Sequence, residues 1–123
     1  RNAKDATLGT MVHELERGAG RIAAECRVVI DLREVVYFAP SEFAPELVAS
    51  VRSAAEALGY SHRDIVSGAA HDAVYLSRVA PAAMVFVPCE GGICHNEIEN
   101  AKPEDIAAGC NVLLHAVLAR ACA

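Results

Sequence analysis

A change in the spacing of apolar residues near position 27 most constrains what this chain can fold into. Over residues 5–26, apolar side chains recur at helical spacing. The positions are Leu8, Met11, Val12, Leu15, Ala19, Ile22 and Cys26. Over residues 28–38 they alternate instead, which predicts one long strand directly after the helix. A single strand cannot satisfy its own backbone, so we expect its partner strands to come from residues outside this sequence or from another chain.

After Pro40, helical and short strand patterns alternate, which is typical of α/β domains. Helices are predicted over residues 45–58, about 72–79 and from 103 onward, and strands over 65–66 and 83–87. The strand at 83–87 is apolar throughout, as expected of a strand buried on both faces. We place a domain boundary near Pro40, so that residues 1–38 end one domain and residues 41–123 end another.

Composition excludes several classes of function. Hydrophobic residues make up 54% of the chain and charged residues 22%, which predicts a packed core. The net charge is −5 and no basic patch or bilayer-length apolar run occurs, so neither nucleic acid nor membrane is expected as a partner. Five cysteines without a secretory signal favour reduced thiols in the cytoplasm. The chain begins at Arg1 without an initiating methionine, so we expect a piece of a longer polypeptide.

Two polar stretches, residues 67–72 and 89–97, follow predicted strands, where open α/β sheets place their ligand sites. In the second stretch, Gly91 and Gly92 permit close backbone approach to a ligand, and His95 follows them. An imidazole in this position can ligate a divalent metal through one nitrogen. One histidine does not make a metal site. The alternative that His95 is a loop histidine without a function therefore stays open.

The cysteines beside His95 suggest two competing interpretations. Cys89, Cys94 and His95 resemble part of a structural zinc cluster, but no second ligand pair occurs at a recognisable spacing. Cys94 could instead be a nucleophile activated by His95. Adjacent residues of an extended segment point to opposite sides, which disfavours this pairing.

The first stretch ends in His71 and Asp72 at a predicted helix N-terminus. Asp72 is explained by capping the helix or by complementing its dipole. Neither explanation requires a histidine, so His71 is a candidate site residue.

Both stretches resemble motifs of the N-carbamoyl-amino-acid hydrolase and allantoate amidohydrolase family. Residues 67–73 read SGAAHDA, similar to the family motif S-G-A-G-H-D-A. Residues 83–97 read AMVFVPCEGGICHNE, similar to A-M-[IV]-F-V-P-S-x-G-G-I-S-H-N-E. Pro103-Glu104-Asp105 and residues 109–114 also match the closing helix of the family. The resemblance covers roughly residues 35–120, with both motifs in the family's order and spacing.

The resemblance implies a zinc-exopeptidase-like α/β catalytic domain, interrupted by a smaller α+β lid domain that also forms the homodimer. On this basis residues 1–38 correspond to the last helix and strand of the lid. Residues 41–123 correspond to the C-terminal part of the catalytic domain.

The resemblance also implies a binuclear metal hydrolase. Two divalent ions per subunit, usually Zn²⁺ but also Mn²⁺, Ni²⁺ or Co²⁺, would hold a bridging hydroxide that attacks a linear ureido or amide carbonyl. The substrates would be N-carbamoyl amino acids, allantoate or related small molecules. His95 matches the family's last metal ligand, and Gly68, His71 and Gly92 match its substrate pocket. The other ligands and the general base would lie outside this sequence, so the segment alone is expected to be inactive.

The sequence departs from the family pattern at two positions. Ala70 replaces a glycine of the first motif, and Cys94 replaces a serine beside the metal-ligand position. Either change could alter specificity or mark a non-catalytic member that only binds a small molecule. A plain amidase or a peptidase of the same fold is a further alternative.

Overall fold

The computed structural model describes residues 2–122, and its regular structure is helical. In chain order the elements are α1 (Asp5–Cys26), α2 (Pro45–Ala57), α3 (Asp72–Leu76), a 3₁₀ turn (Glu90–Gly92) and α4 (Pro103–Ala121). The helices predicted from apolar spacing and from Pro45 and Pro103 are therefore confirmed, since both prolines stand in the first turn of their helices. α3 is shorter than predicted, because it ends at Leu76 and not near residue 79, and α2 ends one residue before its predicted end.

The predicted strands do not form β-structure within residues 2–122. Neither residues 28–38 nor residues 65–66 and 83–87 have a ladder partner there. The α/β prediction is thus not met by the described part of the chain, which is a helical fragment. The physical reason is that a strand exists only through pairing with a neighbour, and these segments do not pair with one another.

The chain forms two compact units. The first comprises the described residues up to Ser41 together with Val66–Ala69, and the second comprises Glu42–Ile65 and the described residues from Ala70 onward. The first unit contains α1, which has no buried residue, and the apolar segment that follows it. Arg27 ends α1 in the left-handed conformation, with φ of 54°, and its N–H donates to the carbonyl of Ala23. The assignment of residues 1–38 and 41–123 to a lid and a catalytic domain stays a prediction.

The core of the second unit is formed where α2 packs against α4. Its buried residues are Ala54, Ala55, Val112 and Ala116. Three of the four are alanine, and small side chains let two helices approach closely. Asn111 on α4 donates a hydrogen bond from Nδ2 to the hydroxyl of Tyr60, 3.1 Å away, just beyond the end of α2. This contact connects α4 with the segment that follows α2.

α4 approaches the segment around residue 87 closely at Gly109. A Cβ atom added to Gly109 would lie 2.5 Å from Cγ1 of Val87, well inside van der Waals contact. Glycine at position 109 is therefore required by packing. The chain leaves this contact at Pro88 and enters the polar stretch 89–97 at once.

Within the described residues, no helix combines the length and the apolar character that crossing a membrane needs.

We expect Gly109→Ala to destabilise the protein although alanine is the better helix former. The new methyl group overlaps Val87, and overpacking typically costs about 1–3 kcal/mol, against a gain of roughly 1 kcal/mol in helix propensity. Thermal or denaturant unfolding of the protein measures the change. In a Val87→Ala background the overlap is removed, so the same Gly109→Ala change should become neutral or stabilising. An equal loss of stability in both backgrounds would contradict the contact.

We also expect residues 1–123, produced alone, to self-associate. Val29 is 97% exposed and Val35 is 91% exposed, and both belong to an apolar segment that has no paired neighbour within residues 2–122. Such an edge forms hydrogen bonds with a second chain. Analytical ultracentrifugation across a concentration series measures the association. A stable monomer with sharp, dispersed amide resonances would show that the segment is satisfied within the chain.

Candidate functional site

The polar stretch 89–97 lies in a loop that is closed at its base. The N–H of Glu90 donates to the carbonyl of Asn100 at 2.7 Å, and Nδ2 of Asn100 donates to Oε2 of Glu90 at 2.8 Å. These two hydrogen bonds between Glu90 and Asn100 hold the two ends of the intervening loop together. We call residues 89–100 the His95 loop.

Gly91 and Gly92 make the turn at the start of the His95 loop. Their φ values are 62° and 69°, in the left-handed region that glycine adopts without strain. The N–H of Gly92 donates to the carbonyl of Cys89 at 3.0 Å. The N–H of Gly92 is thus hydrogen-bonded within the loop. In a substrate pocket, Gly92 would contribute the space left by its missing side chain. A Cβ at Gly92 would have nothing within 4 Å, so the glycine is required by conformation and leaves an open surface.

His95 also has a left-handed backbone, with φ of 56°, and it is not a glycine. A non-glycine residue in this conformation is strained by roughly 1–2 kcal/mol. Its backbone N–H donates to Oε2 of Glu99 at 2.7 Å, while the residue as a whole is exposed. Strained residues held by their surroundings occur frequently at functional sites, which is consistent with a function for His95.

Glu99 belongs to neither sequence motif. A turn centred on Asn96 brings it back to His95: Oδ1 of Asn96 accepts from the N–H of Ile98 at 3.1 Å, and its carbonyl accepts from the N–H of Glu99 at 2.9 Å. The sequence contains one signal for this contact, namely Asn96 followed three residues later by Glu99 in a loop. This pattern is typical of side chains that form hydrogen bonds with the nearby backbone.

The cysteines of the His95 loop differ in environment. Sγ of Cys89 lies 3.8 Å from Oε1 of Glu99, and Cys94 is exposed. Partial burial, followed by the negative charges of Glu99 and of a Cys94 thiolate, raises the pKa of Cys89 above its ordinary value. A raised pKa disfavours the thiolate, so Cys89 is poorly suited to be a nucleophile.

A metal site is not completed by this part of the chain. Among residues 2–122, no three His, Cys, Asp or Glu side chains converge in a way that could hold a metal ion. His95 therefore contributes at most one ligand, and the described residues alone do not fit a catalytic metal. The roles of His95 as a ligand and of Gly68, His71 and Gly92 in a pocket stay predictions.

His71 lies at the N-cap of α3, and Asp72 is the first residue of that helix. Asp72 therefore complements the helix dipole from the first turn and does not cap the helix. The ring of His71 packs edge-on against Phe86, with centroids 5.4 Å apart and an angle of 64° between the planes. This contact brings His71 beside the segment that leads to the His95 loop.

Gly68 lies in the first unit, whereas His71, Gly92 and His95 lie in the second. Beside Gly68, Oγ of Ser67 accepts a hydrogen bond from the N–H of Ala69 at 3.1 Å, which forms a tight local turn. A Cβ at Gly68 would have nothing within 4 Å. Packing therefore does not explain why residue 68 is a glycine.

The family model described as peptidase family M20/M25/M40 matches residues 2–119. The chain belongs to this family. It is 46% identical to an N-carbamoyl-L-amino-acid amidohydrolase of Rhizobium meliloti, over 96% of this chain and 28% of the relative. It is 32% identical to a ureidoglycolate hydrolase of Arabidopsis thaliana, over 92% of this chain and 24% of the relative.

Solved structures agree with these relatives. A hydantoinase/carbamoylase family amidase from Burkholderia multivorans matches with a TM-score of 0.97 and 55% identity, over 100% of this chain and 30% of that one. A hydantoinase/carbamoylase family amidase from Burkholderia ambifaria matches with a TM-score of 0.85 and 40% identity, over 98% and 28%. The resemblance drawn from the two motifs is thus confirmed. The chain spans less than a third of the length of these relatives.

The environments of the two loop cysteines predict unequal reactivity toward iodoacetamide. Because the pKa of Cys89 is raised, it has less thiolate near pH 8 and should react more slowly than the exposed Cys94. Tandem mass spectrometry of the alkylated peptide locates each modification over time. Glu99→Gln removes one of the charges that raise the Cys89 pKa, so it should accelerate Cys89 selectively. Faster alkylation of Cys89 than of Cys94 in the parent protein would contradict the assignment.

Proposed function

We propose that the full-length protein is a metal-dependent amidohydrolase that cleaves linear C–N bonds of N-carbamoyl amino acids, allantoate or related ureido and amide substrates. The observation that carries the proposal is His95, held with a left-handed backbone in a closed loop that matches a metal-ligand motif. The relatives named for this chemistry support the substrate class, because one acts on an N-carbamoyl amino acid and another on ureidoglycolate.

We propose His95 as one metal ligand of this enzyme. Bound divalent metals, Zn²⁺ in the first instance, supply a hydroxide at neutral pH and an electrophile for the carbonyl oxygen. The chain's own contribution is to orient one imidazole. Its exposed position in the described residues leaves a face available to ligands from the rest of the protein. The other ligands and the general base are proposed to come from outside this sequence.

His71, Gly68 and Gly92 are proposed to shape the substrate pocket. The His71 ring is held edge-on by Phe86, so a substrate could meet an imidazole of restricted orientation. The two glycines leave space where any other residue would place a Cβ. Small concave sites commonly combine a few fixed polar groups with such open backbone.

We further propose that the unpaired apolar segments complete sheets in the full-length protein. Residues 28–38 would belong to the lid and dimerisation domain of a cytoplasmic homodimer, and residues 83–87 to the catalytic domain. The exposed apolar side chains of the first segment support this, since Val29 and Val35 are almost fully accessible. Burial of such residues in a sheet would stabilise each by about 1.5–3 kcal/mol.

The second candidate is a non-catalytic member that binds a small molecule. The substitutions Ala70 and Cys94 within the two motifs favour it, because both stand beside proposed site residues. Elemental analysis of the full-length protein separates the candidates. Two metal ions per subunit support the hydrolase, and a metal-free protein that still binds ureido compounds supports the binding member. A plain amidase or peptidase is distinguished by turnover of simple amides and dipeptides.

We expect His95→Ala in the full-length protein to lose bound metal and nearly all amidohydrolase activity. Removing a ligand should lower metal affinity by more than the roughly 10–100-fold that loss of an outer hydrogen-bonding partner costs. Inductively coupled plasma mass spectrometry measures metal per subunit, and ammonia release from an N-carbamoyl amino acid measures turnover. His115→Ala, an exposed histidine on α4, is the matched control. Full metal content and turnover in His95→Ala would remove His95 from the site.

A further inference from the structure

One carboxylate in the His95 loop contacts two other parts of that loop. Oε2 of Glu99 accepts the backbone N–H of His95 at 2.7 Å, and Oε1 lies 3.8 Å from Sγ of Cys89. Glu99 therefore connects the beginning of the loop with its tip. The motif that identified the loop ends at Glu97, so neither the sequence pattern nor the proposed site includes Glu99.

The contact with His95 involves the strained part of the loop. His95 has φ of 56° without being glycine, and such a conformation persists only where the surroundings hold it. A carboxylate acceptor makes a stronger hydrogen bond to a backbone N–H than a neutral acceptor does. The Asn96 turn delivers Glu99 to this position through two hydrogen bonds of its own. The strain at His95 and the acceptor that offsets it are thus built from five consecutive residues.

We propose that Glu99 is a positioning residue that holds the left-handed backbone of His95 and thereby the direction of its imidazole. This inference rests on the proposed function, in which that imidazole ligates metal. Glu99 acts through the main chain of His95. A glutamine can accept the same hydrogen bond through its amide oxygen, so most of the effect depends on an acceptor at this position, and the charge of the carboxylate only strengthens the bond.

The main-chain effect is measured by amide hydrogen exchange of His95 in the full-length protein after removal of metal with a chelator. Glu99→Ala should increase the exchange rate by about ten- to a hundredfold, since the N–H loses its hydrogen-bond acceptor. Glu99→Gln should stay within a few-fold of the parent. Glu97→Ala removes a carboxylate from the same loop and should leave the rate unchanged. An unchanged rate in Glu99→Ala overturns the proposal.

The second measurement is zinc affinity by chelator competition in the same full-length variants. Glu99→Ala should weaken binding by about 10–100-fold, and Glu99→Gln should restore most of it. Equal weakening by alanine and glutamine would show that Glu99 acts by charge, which overturns the positioning role. Should Glu99→Ala not fold, Glu99→Asp shortens the side chain by one methylene and should still raise the exchange rate.

The two proposals fail in different ways. If His95→Ala keeps its metal, the proposed ligand role fails, and the exchange rate of His95 still decides whether Glu99 holds the backbone. If His95→Ala loses its metal while Glu99→Ala retains parental exchange and affinity, only the positioning role fails.

Discussion

The contact between α4 and Val87 is the interaction on which the candidate site depends. Gly109 has no side chain where the methyl group of Val87 lies, so the helix rests directly on the segment that leads into the His95 loop. The α2–α4 core, made largely of alanine, fixes that helix in turn. This packing restricts the position of Pro88, the residue that precedes the His95 loop. A short loop attached to a firmly packed segment has few conformations available, which favours a defined position for the histidine.

Within the His95 loop, local hydrogen bonds replace the support that a large core would supply. Glu90 and Asn100 close the base, two glycines make the first turn, and Glu99 holds the backbone of His95. All of these contacts lie in an exposed part of the described chain, where each hydrogen bond competes with water and contributes only about 0.5–1.5 kcal/mol, or somewhat more to a charged group. Several hydrogen bonds of this strength are therefore needed to hold one strained residue.

Much of the helical structure and the family could be predicted from sequence. Apolar spacing located α1, and Pro45 and Pro103 marked the starts of α2 and α4, because these signals are local. The strand predictions failed within the described chain for a different reason. Residues 28–38 have a strand pattern, but pairing requires a second segment, and residues 2–122 do not provide one. The contact of His71 with Phe86 was equally beyond prediction, since it joins residues 15 positions apart whose approach no spacing rule defines.

The sequence by itself determined which residues are candidates for function: two motifs, a glycine pair and His95, all recognisable because residue type and order survive without coordinates. It also determined the family, which the comparisons confirm. The tertiary structure alone decided the conformation of His95 and the partner of its N–H. The left-handed backbone of His95 and its hydrogen bond to Glu99 depend on how the turn at Asn96 folds back. The order of residues in the sequence does not give the distance between Glu99 and the N–H of His95. The tertiary structure also decided that Gly109 is required by Val87, because two residues 22 positions apart meet only once the helix has packed.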